Sequence, residues 1–457
     1  MSLPFLRDAY PLTTAQQAAL QTDKPVFVEA CAGSGKTTTL VQRYLHLLWE
    51  NPELNPDQIL AITYTKKAAA EMKHRIQHLC QAHPKDGHAV LAFKHRVESQ
   101  LHVAQITTIH GFCKHLCTEF PFESGLLPNM GLLDNDEQEH LFLNSIDTSL
   151  DTLKKTLDPG LVRLVSDLNE VPLRRILLQS LHQYPNIELL QTTPSIKNTY
   201  QQLLEGLDPD LLELCQESHI LEKQLLRITH LCWEQYQILK QNACVCDFND
   251  LIQAAHRLVA DDEIRQDLQD QYRYIFVDES QDTNALQWQL IDTLLSDQNP
   301  RESDKLFVVG DRFQSIYSFQ GSQPEIFQNL IQSGTADTRH LVSAHDNFRS
   351  DPQIIHFVNG LFKRLFDHDK ALSFPPIKAY KDDTSKPAIE LGLATEHPEY
   401  QVNFIASWIK DYIQNKRGTY DDICILSRTK FNLQTLYTAL TEIGIPCRQH
   451  SGTGLYE

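Results

Sequence analysis

Residues 26–40 read VFVEACAGSGKTTTL, and this stretch decides the fold. Its first part, residues 26–29, is a short apolar run typical of a buried strand, and the residues from Thr37 onward are typical of a helix. Between them, residues 30–37 fit the pattern G-x-x-x-x-G-K-[ST], with Ala30 in place of the first glycine. A strand, a glycine-rich turn and a helix in this order predict a loop that binds phosphate groups.

The residue types in this loop suit a nucleotide. Gly33 and Gly35 allow backbone N–H groups to turn toward phosphate oxygens, and the start of the helix adds the positive end of its dipole. Lys36 can then reach the β- and γ-phosphates, and the Thr37 hydroxyl can ligate Mg²⁺. The alternative is an ordinary turn, because the G-K-[ST] core often occurs by chance. The predicted nucleotide-binding residues here are Ala30, Cys31, Ala32, Gly33, Ser34, Gly35, Lys36, Thr37 and Thr38.

A second apolar strand, residues 274–277, runs directly into the carboxylates of Asp278 and Glu279. In a phosphate-loop fold the end of such a strand lies beside the nucleotide, where Asp278 can hold Mg²⁺ and Glu279 can polarise the attacking water. Glu279 therefore predicts hydrolysis as well as binding. The alternative role for these carboxylates is to cap the following helix, a task for which Asp282 is also a candidate.

Short apolar runs alternate with helical patterns along much of the chain. We predict strands at 26–28, 59–62, 104–107, 274–277 and 306–309, and helices at 37–49, 66–79 and 284–295. This alternation predicts a doubly wound α/β fold with a parallel sheet. Between residues 134 and 241 the strand patterns disappear and Leu recurs at helical spacing, which predicts a helical insertion. A second α/β run begins near His340, with strands expected at 341–342, 389–393 and 423–426 and helices at 352–366, 400–414 and 431–443.

Composition narrows the class of protein. The chain has 457 residues with a net charge of −18 and 41% hydrophobic residues, which excludes disorder as the dominant state. Its apolar runs fall short of the roughly 18 residues that a membrane span needs, and the N-terminus lacks the apolar segment of a secretory signal. We therefore predict a cytoplasmic protein. The 10 cysteines form no C-x-x-C pair, which favours reduced, buried thiols over a zinc site.

The run DESQDTN at residues 278–284 resembles the acidic motif of superfamily 1 DNA helicases of the UvrD/RecB type, and further segments match this family in order. In LTTAQQAA at 12–19, the resemblance implies that Gln16 reads adenine. The segment AITYTKKAAAEM at 61–72 is similar to one that touches single-stranded DNA. TIHGFC at 108–113, followed by FESG at 122–125, is closer to the RecB or AddA branch. DFNDL at 247–251 resembles the return from the helical insertion.

Two more motifs extend the resemblance. VGDRFQSIYSFQG at 309–321 is similar to the coupling motif, in which the glutamine, here Gln314, senses the γ-phosphate. NFRS at 347–350 resembles the element in which Arg349 reaches the γ-phosphate from the second domain and Phe348 stacks on adenine. One position departs from the family, because Gln320 stands where an arginine is usual, so the coupling of DNA to ATP is not implied there.

The resemblance also implies contacts with DNA. The predicted DNA-binding residues are Thr63, Tyr64, Lys66, His110 and Phe319. Aromatic faces stack on bases at ~1–3 kcal/mol each, which suits Tyr64 and Phe319, and the alternative for both is burial in the core. Lys66 begins a local basic cluster with Lys67, Lys73 and Arg75, for which the alternative is a solvated helix face. For His110 the alternative is a helix cap.

Taken together, the resemblance implies RecA-like motor domains that use ATP and Mg²⁺, with Lys36, Asp278, Glu279, Gln314 and Arg349 as catalytic residues and Thr37 and Asp278 on the metal. The expected segments are 1–133 and 242–335 for the first domain, 134–241 for the insertion and 336–457 for an incomplete second domain. The chain is expected to be the N-terminal part of such a motor, because it ends before the family's last motifs.

The implied activity is an ATP-dependent 3′-to-5′ DNA helicase or translocase in repair or recombination. Its partners would be single-stranded DNA, duplex junctions and another helicase–nuclease subunit, with no membrane. One alternative is a nucleotide-gated module that grips single-stranded DNA without unwinding. The other is an unrelated phosphate-loop enzyme such as a small-molecule kinase, against which the DNA-side motifs argue.

Overall fold

The computed structural model describes residues 12–81, 83, 86–127, 130–191, 209–295, 303–316, 322–332, 338–366, 374–382, 388–392, 398–427 and 430–448. The chain divides into two compact units, Met1–Ala344 and His345–Glu457. None of the helices in the described part of the chain is both long and apolar enough to span a lipid bilayer.

The first unit is built on a parallel sheet. In chain order its strands are β1 (Val26–Ala30), β2 (Ile59–Thr63), β3 (Ile106–Thr108), β4 (Gly131–Leu132), β5 (Val245–Cys246), β6 (Tyr274–Val277), β7 (Leu306–Gly310) and β8 (His340–Ala344). Six of them form one sheet in the order β3-β2-β6-β7-β1-β8, and every neighbouring pair in it is parallel. The predicted α/β class is confirmed, and the carboxyl ends of β1 and β6 lie at the same edge of the sheet.

Helices cover both faces of this sheet. One layer contains Lys36–Glu50, Lys66–Cys80 and His88–Gln100, and the other contains Ile109–Glu119, Phe248–Ala260, Asp262–Gln271, Ala285–Leu295 and Pro324–Gln332. A short helix, Thr14–Ala18, precedes β1. In β1, Val26 and Val28 pack into the first core and Phe27 into the second. Because both faces are buried, the strand reads as a continuous apolar run, and this made it recognisable from the sequence.

The strand near residue 341 lies in the first sheet, so its expected place in a second α/β run is wrong. β8 pairs with β1 in parallel register from Val26 opposite His340 to Ala30 opposite Ala344. Val342 and Ala344 are buried in the core that also contains Val26 and Val28. The physical reason is that the open edge of β1 offers both backbone hydrogen bonds and an apolar surface.

The insertion is helical, as predicted, and has its own core. Its helices are Asn135–Lys155, Pro159–Leu168, Glu170–Gln191 and Pro209–Ala243. The buried side chains that they share include Phe142, Leu150, Leu177 and Tyr236. At its base, β4 and β5 form a two-stranded parallel ladder that pairs the chain entering the insertion with the chain leaving it.

A buried ionic cluster joins the insertion to the sheet-bearing part of the unit. Lys240 Nζ lies 2.8 Å from Asp247 Oδ2 and 2.7 Å from Asp250 Oδ2. The Tyr236 hydroxyl donates to Asp247 Oδ2 at 2.7 Å. Asp247 is also the N-cap of the helix Phe248–Ala260. The long insertion helix is therefore fixed to the first turn of a helix that packs on the sheet.

Replacement of this lysine, Lys240→Met, is expected to lower the free energy of unfolding by about 3–5 kcal/mol, since it leaves two carboxylates without their cation. Burial, and next the charge of Asp247, raises the pKa of Asp250, whereas Lys240 lowers it. Without Lys240 the folded state binds protons more tightly than the unfolded state, so stability decreases as pH rises, and the loss is larger at about pH 8 than at about pH 5.

Denaturant unfolding at the two pH values measures this loss. The matched control is Lys154→Met, which removes an exposed ion pair with Glu170 in the same insertion and should cost under about 1 kcal/mol. Equal losses in the two variants would contradict the structural role of the cluster.

The second unit contains two short parallel strands, β9 (Asp346–Asn347) and β10 (Lys378–Ala379). Its helices are Pro352–Phe366, Pro398–Gln414 and Lys430–Glu442, close to the predicted ranges. The strands expected at 389–393 and 423–426 are wrong for the residues described there, 389–392 and 423–426, which form no strand. An apolar run becomes a strand only where a neighbour pairs with its backbone groups, and the ladder described in this unit joins β9 to β10.

Candidate functional site

The phosphate loop follows β1 as predicted, and the helix after it begins at Lys36. Gly33 and Gly35 have φ angles of 71° and 84°, in the left-handed region that favours glycine. The loop is closed on itself, because the Ser34 hydroxyl donates to the Cys31 carbonyl at 2.8 Å. It is also tied to the end of β8, since the Cys31 N–H donates to the Ala344 carbonyl at 3.0 Å.

Gln16 lies against this loop. It is only 6% exposed, and its Nε2 donates to the Ser34 carbonyl at 3.1 Å. Its Oε1 accepts from the Thr13 N–H in a capping box at the start of the helix Thr14–Ala18. A Cβ on Gly35 would lie 2.8 Å from Gln16 Nε2. The structure thus brings Gln16 into contact with the loop, although the two belong to separate motifs in the sequence.

The acidic end of β6 meets the loop through an ion pair. Lys36 Nζ lies 2.7 Å from Glu279 Oε2. Glu279 has a φ of 47°, an uncommon conformation for a residue with a side chain that persists only where its surroundings hold it. Its N–H donates to Asp278 Oδ1 at 3.0 Å. Two carboxylates and one lysine therefore share a small volume beside the phosphate loop.

Electrostatics make this site suitable for a cation. Burial, and next the charge of Glu279, raises the pKa of Asp278 to about 7, although Lys36 lowers it. Lys36 therefore compensates only part of the negative charge of the two carboxylates. Thr37 is half-buried in the first turn of the adjacent helix. Hydroxyl and carboxylate oxygens are the ligands that Mg²⁺ prefers, so the donor set of Thr37 and Asp278 fits this ion.

A buried glutamine that was not predicted from the sequence connects the acidic residues to the coupling motif. Gln281 Nε2 donates to Glu279 Oε2 at 2.8 Å, and its Oε1 accepts from the Asp311 N–H at 2.8 Å. Gln314 Nε2 donates to Asp311 Oδ2 at 2.6 Å. The sequence does contain an indication of this contact, because Gln281 has both a donor and an acceptor and stands between the carboxylates of Glu279 and Asp282.

The helix-capping role that the sequence suggested for Asp282 is wrong. Asn284 caps the helix Ala285–Leu295, since its Oδ1 accepts from the Gln287 N–H at 3.0 Å. Asp282 lies in the preceding 3-10 turn. Burial, and next the charge of Glu279, raises the pKa of Asp282 to about 6. A capping side chain must stand directly before the first turn to reach its N–H groups, and here that residue is Asn284.

The predicted DNA-binding residues after β2 differ in exposure. Thr63 is 3% exposed, and its hydroxyl donates to the Thr65 carbonyl at 3.1 Å, so its side chain supports the turn. Tyr64 is half-buried, whereas Lys66 and Lys67 are exposed. These residues lie where β2 ends and the helix Lys66–Cys80 begins.

Further along this helix, the basic cluster presents less positive charge to solvent than its sequence suggests. Arg75 forms an intrahelical ion pair with Glu71 at 2.5 Å. Lys73 is half-buried, and burial lowers its pKa. The exposed lysines of the cluster are therefore the two at its N-terminal end, Lys66 and Lys67.

His110 lies at the start of the helix Ile109–Glu119 and contacts Phe248, with 4.6 Å between the ring centroids. Burial lowers its pKa to about 4, so the imidazole is neutral near pH 7. The helix is capped by Thr108, whose hydroxyl accepts from the Gly111 N–H at 3.1 Å. The alternative role of His110 as a helix cap is therefore wrong.

The remaining predicted residues lie elsewhere. Phe319 and Gln320 fall outside the described residues. Phe348 and Arg349 belong to the second unit, where the Phe348 ring lies 4.6 Å from the ring of Tyr380. The N–H of Arg349 donates to Asn347 Oδ1 at 3.0 Å, and its side chain is exposed.

Comparison with known proteins agrees with these features. Residues 12–334 match the UvrD/REP helicase N-terminal domain, and residues 342–457 match the UvrD-like helicase C-terminal domain. The chain is 28% identical over 456 residues to a probable DNA helicase II homolog of Mycoplasma pneumoniae, covering 96% of this chain and 54% of that protein. It is 27% identical over 455 residues to the ATP-dependent DNA helicase UvrD1 of Mycobacterium leprae, covering 97% and 50%.

A protein named for both helicase and nuclease activity is also similar. The chain is 22% identical over 616 residues to an ATP-dependent helicase/nuclease subunit of Staphylococcus aureus, covering 100% of this chain and 50% of that protein. The chain thus spans about half the length of the curated relatives that it matches.

Proposed function

The chain belongs to the UvrD/REP helicase family, and we propose that it hydrolyses ATP with Mg²⁺ to move along single-stranded DNA in the 3′-to-5′ direction. The observation that carries the proposal is the 2.7 Å ion pair between Lys36 and Glu279. It places a cation that suits the terminal phosphates of ATP beside a carboxylate that suits an attacking water. Binding and hydrolysis would therefore take place at one site.

Lys36 and Glu279 would change partners during the reaction. The phosphate oxygens of ATP and the Glu279 carboxylate compete for the same ammonium group. When Lys36 donates to the β- and γ-phosphates, Glu279 becomes free to accept a proton from water. The N–H groups of the loop, together with the N-terminal end of the helix Lys36–Glu50, would bind and orient the phosphates.

Thr37 and Asp278 would hold the metal ion. When bound, Mg²⁺ neutralises charge on the phosphate oxygens. The raised pKa of Asp278 supports this assignment, because a nearby cation would relieve the repulsion between its carboxylate and that of Glu279. Ala30, Cys31, Ala32, Gly33, Ser34, Gly35 and Thr38 would line the phosphates, with Gln16 and Phe348 at the adenine.

Single-stranded DNA would lie across the end of β2. Exposed Lys66 can contact a phosphate, and Tyr64 can stack on a base. Neutral His110 can form a hydrogen bond with DNA but adds no positive charge. Thr63 would act through the backbone of the turn, and Phe319 would provide a second stacking surface. The family resemblance supports a role in cytoplasmic DNA repair or recombination. The similar Staphylococcus aureus protein is named as a subunit of a helicase/nuclease, which supports a partner chain.

The first test is the steady-state ATPase of this chain with and without oligo-dT. We expect turnover to rise several-fold with oligo-dT, because the proposed DNA contacts lie at the end of β2, and β2 is paired with β6, the strand that ends directly before Asp278 and Glu279. ATP turnover that oligo-dT leaves unchanged would contradict the proposal that this chain is a DNA-linked motor.

A second measurement distinguishes a DNA helicase from a module that only binds single-stranded DNA. Displacement of a short strand is compared on duplexes with a 3′ or a 5′ single-stranded tail. Displacement only with the 3′ tail supports the proposed direction. Stimulated ATP turnover without displacement on either duplex would favour the single-stranded-DNA-binding module.

A further inference from the structure

We propose that Gln281 is a positioning residue that holds the carboxylate of Glu279 and the turn from Asp311 to Gln314 in one fixed arrangement. The inference rests on the proposed function, since it assigns a residue to the same ATP site. Its consequence is that the hydrolytic carboxylate and the glutamine expected to sense the γ-phosphate move as one group.

The first observation is that the Gln281 amide is fully used. Its Nε2 donates to Glu279 Oε2 at 2.8 Å and to Asp282 Oδ2 at 3.3 Å. Its Oε1 accepts from the Asp311 N–H at 2.8 Å. The side chain is 1% exposed. Its donor end therefore faces the residues after β6 and its acceptor end faces the residue after β7.

The second observation is that the contacts continue on both sides. Glu279 Oε2 also accepts from Lys36 Nζ at 2.7 Å. On the other side, Asp311 Oδ2 accepts from Gln314 Nε2 at 2.6 Å. An unbroken series of hydrogen bonds thus runs from the phosphate-loop lysine to the glutamine of the coupling motif, with Gln281 at its centre.

The backbone at both ends is shaped for this arrangement. Glu279 has a left-handed φ of 47°, which directs its carboxylate toward both Lys36 and Gln281. Gly310, the last residue of β7, has room for no side chain, because a Cβ there would lie 2.6 Å from Ser280 Oγ and 2.9 Å from Gln281 Oε1. The two strand ends can approach closely only because residue 310 is glycine.

The proposed role of Gln281 concerns Glu279 at the moment when Lys36 leaves it. When Lys36 turns to a phosphate, Gln281 keeps its hydrogen bond to Glu279 Oε2. The carboxylate then stays oriented toward water while it is free to accept a proton. A Gln281 without its donor would leave Glu279 able to rotate, which lowers turnover but leaves the phosphate-binding groups in place.

The test compares two variants with a matched control. Gln281→Met removes both hydrogen-bonding ends, and Gln281→Glu keeps the acceptor for the Asp311 N–H but puts a carboxylate beside Glu279. The control is Gln287→Met, which removes a nearly buried glutamine that forms a capping hydrogen bond within its own helix. Steady-state kcat and KM for ATP, with and without oligo-dT, are measured together with binding of a fluorescent ATP analogue and the thermal midpoint.

We expect both Gln281 variants to lower the DNA-stimulated kcat by about 10- to 100-fold, which corresponds to the loss of one hydrogen bond to a charged group. The KM for ATP and analogue binding should stay within about threefold of the wild type, since the phosphate loop is unchanged. Gln287→Met should keep its kcat even if its thermal midpoint falls.

Two outcomes would overturn the inference. One is a normal stimulated kcat in either Gln281 variant. The other is a fall of kcat accompanied by an equal fall of analogue binding, which would indicate a general loss of the folded site. Failure of the proposed function looks different, because the wild-type chain itself would then show no DNA-dependent turnover.

Discussion

Glu279→Gln lowers ATP turnover by about 10²- to 10⁴-fold while ATP binding persists, the range typical for loss of a general base. The amide has the shape of the carboxylate but cannot take a proton from water. The substitution also removes the negative charge that pairs with Lys36 at 2.7 Å, so the lysine no longer has to leave an ion pair to reach the phosphates. Binding of ATP should therefore be unchanged or tighter.

The measurements are oligo-dT-stimulated ATPase and titration with a fluorescent ATP analogue. A matched control is Glu170→Gln, which makes the same chemical change at an exposed ion pair in the helical insertion. That variant should keep wild-type turnover. If Glu279→Gln kept turnover within a few-fold of the wild type, another group would have to activate the water, and the assignment of Glu279 would be wrong.

Arg349→Ala is expected to bind ATP but to lose about 10³-fold or more in turnover, the effect seen when an arginine that stabilises a transferring phosphoryl group is removed. Guanidinium has a fixed charge and a planar shape that fits phosphate oxygens. In the second unit the turn that carries Arg349 is held by Asn347, whose Oδ1 accepts from the N–H groups of Arg349 and Ser350. The truncation therefore removes the guanidinium without disturbing the turn.

The same two assays test this prediction. Arg364→Ala, at an exposed arginine in the last turn of the helix Pro352–Phe366, is the control for loss of a positive charge in this unit. A kcat for Arg349→Ala close to that of the control would rule out a role at the γ-phosphate.

Features with a local physical cause could be predicted well. The strand, glycine turn and helix around Lys36 need only near neighbours in the chain, and the structure forms them at the predicted place. The apolar run of β6 ends at Val277, directly before Asp278, as predicted. Both strands are buried on two faces, and this produces an apolar run that has no helical period.

Features that depend on the choice of a partner could not be predicted. The strand at residues 340–344 was assigned to the wrong part of the chain, because its own residues do not indicate which sheet has an open edge. Residues 423–426 have the composition of a strand but no strand partner in the described chain. A local pattern indicates that a segment can be extended, but the surrounding fold determines which strand it pairs with.

The candidate site shows the same division. Sequence by itself determined that this chain has a glycine turn between a strand and a helix, an acidic strand end and a helical insertion in a parallel α/β protein, because turn chemistry and burial leave a local pattern. Only the tertiary structure decided that Lys36 pairs with Glu279, that Gln281 joins Glu279 to Asp311, and that Lys240 fixes the insertion. These contacts join residues from different elements, and their hydrogen bonds exist only once packing has brought those elements together.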